Sequence, residues 1–301
     1  MTAPQSFLRR LHGTLLSGLY RWPREHYQVF VARSDGAAVA IPAPAWTYFA
    51  DPFLRVADGV TWLFVEEFSY LRNTARLVVL PLAVDLRPAG PPRPLVLASA
   101  AHASFPCVFV HDGAWWMIPE TTADRRVDLY RALEFPHRWR WERTLLDGID
   151  AADTVPLFHD NRWWLIAAVR RGPQDGGCRT LAVFHADSLL ADAWTPHPVN
   201  GERRHADSPF SWGRNAGDIV PGETLGWRPI QTSRQYYGES LGWMRLRQLT
   251  PTLFIEEPGA GPAGLRPEIA RGHHVSMHGG LVAWDVRDRA SYTSWLRRPA
   301  G

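Results

Sequence analysis

The chain has 301 residues, of which 46% are hydrophobic and 21% charged, with 24 Gly, 25 Pro and 15 Trp. Its 33 basic residues against 30 acidic ones leave a formal charge of +3, and they are scattered along the chain, so it lacks the massed basic face of a nucleic-acid binder. That much Trp, Pro and Gly suits short strands joined by ordered loops rather than a helical bundle, and no run of about 18 apolar residues exists to span a membrane.

Residues 1–24 hold Arg9, Arg10 and a modest apolar run in which Leu8, Leu11 and Leu15 share a short helical face, with Leu16 at its margin. No signal-peptide core with a small-residue cleavage site is present. The expectation is a cytoplasmic protein with this segment packed on the domain and no membrane insertion. His26 to Arg33 reads as a strand ended by the turn signal Ser34–Asp35–Gly36. It precedes the first repeat, which makes it the candidate to close a ring by pairing with the last one and so remove an exposed sheet edge.

The repeat begins at Asp51. The spacing from Asp51 to Asp58–Gly59 to Trp62 returns from Phe105 to Asp112–Gly113 to Trp116, and again from Asp153 to Asp160–Asn161 to Trp164. An interval of about 50 residues is that of a propeller blade, a β-unit too small to bury its own face alone. Blade one runs from Ala50 to Ala98, with its last strands at Ala75 to Leu82 and Leu95 to Leu97. Blade two spans Phe105 to Leu146 and blade three Asp153 to Trp194. Blade four is assembled from Arg214 to Val220, Glu223 to Ile230, Gly238 to Leu249 and Leu253 to Glu257, and blade five starts within His273 to Val286. The predicted architecture is an all-β, five-bladed β-propeller over residues 25–301 with a short N-terminal helical segment over 1–24. Trp139 and Trp194 fall late in their blades and are expected to plug gaps between sheets.

Equivalent positions in blades stack around one axis, which brings Asp51 and Asp153 to one end of the channel. There they form a carboxylate pair able to hold a proton or a cation; the alternative is that they cap turns. Glu66 and Glu120 match one another, each after an apolar run that implies partial burial and a need for partners. Glu120 either shapes a polar pocket or pairs with Arg. His102 and Ser104, beside a blade start, are either loop structure or contacts to an oxygen-rich ligand. His273 and His274 are candidates to hold a channel metal directly or through water, although no HExxH spacing occurs. Arg214, Asn215, Asp218, Arg228, Gln231 and Tyr237 concentrate groups suited to hydroxyls or anions, with Tyr237 or Trp212 as an apolar floor; the alternative is an inter-blade hydrogen-bond network. Cys107 and Cys178 make no metal motif and read as buried thiols. No P-loop is present, and no strand–turn–helix pattern in the sequence frames a GxGxxG as a dinucleotide fingerprint or a GxSxG as a nucleophile elbow.

In order along the chain, Ala50–Asp51–Pro52–Phe53, His102–Ala103–Ser104–Phe105–Pro106, Trp116–Met117–Ile118–Pro119–Glu120, Phe135–Pro136 with Trp139, Ala152–Asp153, Trp163–Trp164–Leu165, Arg214–Asn215–Ala216–Gly217 and Arg228–Pro229–Ile230–Gln231 with Tyr237–Gly238 resemble one known domain. It is the propeller at the N-terminus of plant glucosamine inositolphosphorylceramide transferases and of related bacterial stand-alone proteins. That domain is similar to the five-bladed propeller of arabinofuranosidase and xylosidase type glycoside hydrolases. The resemblance implies that Asp51 matches the general base and Asp153 the aspartate that tunes the acid and orients substrate. It also implies a general-acid Glu at the start of blade four, where this chain has Arg214–Asn215–Ala216–Gly217; Asp218, Glu120 and Glu257 are the candidates to replace it. A water-coordinated calcium near a fifth-blade His is implied too, with His273 or His274 as its match. The expected function is a glycosidase-like enzyme of glycan or glycoconjugate processing, acting on a carbohydrate or small-molecule substrate as a monomer or weak homo-oligomer. The alternatives are a noncatalytic sugar-binding propeller, and a transferase or lyase acting on a small secondary metabolite.

Overall fold

Short strands with one apolar face, meeting at tight turns, hide that face by stacking sheet on sheet. The computed structural model describes residues 26–97, 102–121, 124–170, 172, 179–201, 213–232 and 237–287, and there the chain forms five such sheets. The expected N-terminal helix, Cys178 and Trp212 lie outside the described residues.

In chain order, β1 (Tyr27–Arg33) and β2 (Val39–Ile41) come first. Blade one is β3 (Thr47–Ala57), β4 (Val60–Ser69), β5 (Thr74–Leu82) and β6 (Arg93–Pro94). Blade two is β7 (Ser104–His111), β8 (Ala114–Glu120), β9 (Arg126–Glu134) and β10 (Arg138–Asp147). Blade three is β11 (Asp150–His159), β12 (Arg162–Arg170), β13 (Thr180–Ala186) and β14 (Thr195–Pro196). Blade four contains β15 (Gly226–Gln231), β16 (Leu241–Leu249) and β17 (Phe254–Gly259). Blade five supplies β18 (Gly272–His278) and β19 (Leu281–Arg287).

Each blade is an antiparallel meander, and β1 completes the last one. It pairs with β19 from Tyr27 opposite Arg287 to Arg33 opposite Leu281, giving the order β18-β19-β1-β2. The closing strand is therefore the one expected from its position before the first repeat. The repeated turn is equally regular: Asp58–Gly59 and Asp112–Gly113 have both φ angles positive, as a two-residue type I′ hairpin demands. Behind it, the Trp116 and Trp164 indoles donate to the His111 and His159 carbonyls at 3.3 and 3.2 Å. The same Trp therefore ties the second strand to the end of the first in two successive blades.

Blade four departs from the pattern. Its inner segment touches β15 through single bridges, Asn215 to Ile230 and Val220 to Trp227, because Gly217 at φ 138° turns the chain toward blade five. A Cβ at Gly217 would sit 1.8 Å from the Val275 carbonyl oxygen. This closeness lets the Val275 amide donate to the Ala216 carbonyl at 2.7 Å, an inter-blade bond. In blade one the outermost strand forms at Arg93–Pro94 rather than Leu95–Leu97, since Leu95 drops into the core.

Trp139 and Trp194 are buried in the inter-blade clusters, as expected of plugs. Midway along the channel the rings of Phe53, Phe105 and His274 meet at 4.6 to 5.2 Å. No helix among the described residues is long and apolar enough to cross a membrane.

Candidate functional site

The inner strands of blades one, two, three and five share a β-bulge. In β3 it lies between the pairs Ala50–Glu66 and Phe53–Phe64, in β7 between Ser104–Glu120 and Cys107–Ile118, in β11 between Ala152–Ala168 and Val155–Ile166, and in β18 between Gly272–Val286 and Val275–Trp284. A bulge re-aims the side chain it carries. Asp51, Phe105 and Asp153, first in three of these bulges, all have φ near 50°, a region that non-glycine residues adopt only when held there. The sequence repeat at Asp51, Phe105 and Asp153 thus encodes one backbone device, and it gathers polar groups at one end of the channel.

Two groups of side chains meet there. In the first, Asp285 is fully buried and collects four donors: the His273 and His274 amides on Oδ1 at 3.1 and 2.7 Å, and the Asp51 amide and His273 Nδ1 on Oδ2 at 3.0 and 3.2 Å. Asp51 Oδ2 accepts from the Phe105 amide at 3.2 Å. Its Oδ1 is buried without a hydrogen-bond partner, and His273 Nδ1 stands 3.5 Å away. His273 Nε2 lies 2.7 Å from the Tyr237 hydroxyl. Burial works against the His273 charge, but Asp285 and then Asp51 outweigh it and raise its pKa. Burial and next the Asp51 charge hold the Glu66 proton on well above the usual carboxylate range.

The second group is centred on Asp153. Arg214 Nε and an Nη grip both its oxygens at 2.5 and 2.9 Å, and although burial opposes ionisation, the guanidinium keeps the Asp153 pKa below its ordinary value. Glu120 accepts from the Asp153 amide at 3.0 Å and lies 3.7 Å from Arg214. Burial, followed by the Asp153 charge, pushes Glu120 up to about 8. The Arg214 guanidinium also lies over the Tyr237 ring at 5.1 Å, joining the two groups.

The remaining expected site residues separate. His102 Nδ1 accepts from the Ala75 amide at 3.2 Å, and burial lowers its pKa. Ser104 is buried opposite Glu120. Gln231 is buried, with Nε2 3.4 Å from the Asn215 carbonyl and Oε1 without a partner. Asn215 was expected among the ligand contacts, but it is fully buried and engaged behind the site. Its Nδ2 donates to the Asp153 and Ile166 carbonyls at 2.6 and 2.9 Å, and its Oδ1 accepts from Arg228 at 3.0 Å. Arg228 forms a fully buried two-pronged pair with Glu256. Asp218 lies toward the other end of the channel, gripped by Arg55 at 2.8 and 3.0 Å, and Glu257 is on β17 facing Arg247. Neither stands in for the missing blade-four acid.

Asp51, His273 and Asp285 each offer a ligand atom within 4.8 Å of the others. His273 is engaged on both ring nitrogens, with Nδ1 3.2 Å from Asp285 and 3.5 Å from Asp51 and Nε2 2.7 Å from the Tyr237 hydroxyl, so a metal held by this cluster through His273 would displace one of these contacts. His274 has both ring nitrogens buried without partners, beside the Phe53 and Phe105 rings. That calls for a water, while the six to eight oxygen ligands of a calcium cage, roughly, are not gathered around it. Asp285 escaped sequence reasoning because it sits opposite the bulge rather than in it; its signal is a lone acid in the apolar run Leu281 to Val286.

The family described as "Glucosamine inositolphosphorylceramide transferase 1, N-terminal" matches residues 32–259. Glucosamine inositolphosphorylceramide transferase 1 of Arabidopsis thaliana is 30% identical over 153 residues, 51% of this chain and 20% of that protein. The protein of the same name from Oryza sativa subsp. japonica is 28% identical over 213 residues, 70% of this chain and 28% of that one. The chain thus spans between a fifth and a third of the length of these curated relatives. Among solved structures, a thermostable family-43 glycoside hydrolase superposes with a TM-score of 0.52 at 11% identity, over 83% of this chain and 90% of that one, a likeness of fold.

Proposed function

Given that the chain belongs to the glucosamine inositolphosphorylceramide transferase 1 N-terminal family, we propose that it binds and processes a carbohydrate at the bulged end of its channel. The observation that carries this reading is the state of Asp51. Its backbone and one carboxylate oxygen are fixed by backbone hydrogen bonds, while Oδ1 stands 3.5 Å from His273 Nδ1 and the carboxylate is flanked by protonated Glu66, a base held in position beside the channel end. Asp153, clamped by Arg214, is the second carboxylate and orients substrate. Glu120 keeps a proton to about pH 8 and serves this pair by limiting its charge. Tyr237 with Arg214 offers an apolar and cationic surface to a sugar ring. The fold shared with family-43 hydrolases supports the same reading as analogy.

The test is D51N assayed against a panel of aryl and alkyl glycosides. Turnover falls by at least ~10²-fold while the melting temperature stays near wild type; wild-type turnover in D51N removes Asp51 from the chemistry. One observation favours a noncatalytic sugar-binding module instead, namely that Asn215 and Arg214 occupy the start of blade four and both are tied to Asp153. Saturable sugar binding by calorimetry with no product over the whole panel selects that reading.

A further inference from the structure

The repeat that aims side chains into one end of the channel writes a second pattern at the other. Five positions after Asp51, Phe105 and Asp153 come Val56, Val110 and Phe158, which are 38%, 54% and 52% exposed. Each stands just before its hairpin turn, so three successive blades set a large apolar side chain on the lip of the far mouth. Single apolar residues on a surface need no explanation, but a set in register around one opening does. Inside the lip lies a cavity of about 530 Å³, walled by Phe109, Trp115, Leu157, Trp163 and Met277 and reaching Arg55 and Asp218. The turns that rim it, Asp58–Gly59, Asp112–Gly113, Asp160–Asn161, 221–224 and Gly279–Gly280, are all among the described residues.

Charge decides what can cover this mouth. Its floor is neutral, because Arg55 grips both Asp218 oxygens at 2.8 and 3.0 Å and Ser276 Oγ donates to one of them at 3.1 Å. The arginines around it are paired as well: Arg162 with Asp187 at 2.9 Å, Arg245 with Glu223 at 3.0 Å and Arg247 with Glu257 at 3.5 Å. His278, the equivalent lip residue of blade five, is kept uncharged, since burial and then Arg55 lower its pKa. There remain the exposed turn residues Asp58, Asp112 and Asp160. Of these, Asp112 alone enters an ion pair among the described residues, with His111 at 3.1 Å. The mouth is therefore apolar at its centre and acidic at its rim. Such a field repels nucleic acid and anionic lipid and steers a cationic partner.

We propose that the far mouth is a docking site for a basic segment of a partner polypeptide, which sets a large apolar side chain in the cavity and Lys or Arg residues over Asp58, Asp112 and Asp160. The assignment is independent of the carbohydrate reading of the bulged end. A buried apolar anchor ringed by charged contacts is the usual anatomy of a protein interface. A small molecule is held by a site that encloses most of its surface, whereas here the lip residues are more than a third exposed and suit a segment laid across the opening. Asp58, Asp112 and Asp160 have φ of 50°, 47° and 52°, a region that Asn also adopts readily, so their charge can be removed without disturbing the turns.

The test pans a phage-displayed library of random short linear peptides on the intact chain and measures the recovered sequences, as free peptides, by calorimetry. They are expected to share an aromatic or aliphatic residue flanked by Lys or Arg, and to bind ~10-fold or more weakly to V110S and to F158S. The triple variant D58N/D112N/D160N weakens binding to a similar degree and flattens its dependence on salt. The Phe158 ring packs on Trp163 at 5.3 Å, so V110S carries the apolar arm if F158S loses its fold. Three results overturn the proposal: no sequence recovered above background, recovered peptides without basic residues, or peptides that bind V110S and the triple variant as tightly as wild type. A concentration-dependent dimer in sedimentation that V110S abolishes would also overturn it, by giving the mouth to a second copy of this chain.

Discussion

Arg214 reaches from blade four into blade three and takes both oxygens of Asp153, with 2% of the Asp153 side chain and 21% of its own exposed. Removing one partner of a pair this buried leaves an uncompensated charge. R214M is therefore expected to lose ~3–5 kcal/mol of stability in urea unfolding, and D153N in the R214M background to recover much of it. A loss below about 1 kcal/mol would place the pair in the range of exposed ion pairs and make Asp153 more solvated than it is described.

Restoring a carboxylate at Asn215 should not restore a hydrolase. The Asn215 amide donates to two carbonyls, which a carboxylate would repel, although its other oxygen could still face Arg228. N215D is expected to destabilise by ~2–3 kcal/mol, the cost of leaving buried groups unsatisfied, with no gain in glycoside turnover. A gain in turnover would show that position 215 faces the ligand.

Stability should depend on pH through Glu120. Its pKa is raised from 4.5 to about 8 in the folded chain, so between these values the native state holds a proton that the unfolded state has lost. Stability then falls as pH rises through that window. E120Q removes this part of the decline, and the two melting curves converge below about pH 4.5 and separate progressively as pH rises toward 8. The Asp153 and Asp285 pKa values are lowered, so their contributions run the other way and are lost only in strong acid. Parallel melting profiles for E120Q and wild type from pH 5 to 9 would remove Glu120 as the cause.

Gly217 should tolerate no side chain. Any Cβ meets the Val275 carbonyl, and φ 138° is open to glycine alone. G217A is expected to cost more than ~3 kcal/mol by the combined strain and lost inter-blade bond, read from the urea midpoint. A fully stable G217A would mean that blade four can shift outward without loss.

How much of this was legible in the residues depends on whether the signal was local. The turn at Asp58–Gly59, the Trp at position 116 and the closing strand at Tyr27–Arg33 are each fixed by short-range pattern, and the fold followed from them. The equivalence of Asp51 and Asp153 was also readable, because a bulge repeats at constant spacing. The roles of the blade-four residues were not. Arg214, Asn215, Asp218 and Arg228 lie within fifteen positions of one another, yet they face Asp153, the interior behind it, Arg55 and Glu256 respectively. The turn at Gly217 and the alternation of β15 send neighbours in sequence to different depths of the channel. Asp285 was hidden for the converse reason: three of its four donors are the backbone amides of Asp51, His273 and His274, which carry no side-chain signature.

The pairing of β1 with β19, Tyr27 against Arg287, has a bearing on how such a domain is carried by other polypeptides. The first and last described strands lie side by side in one blade, so chain arriving before β1 and chain leaving after β19 attach at the same sector of the ring. A propeller sewn up in this way can be spliced into a longer protein through adjacent connections, leaving the other four blades untouched. The much greater length of the curated relatives is compatible with that modular use.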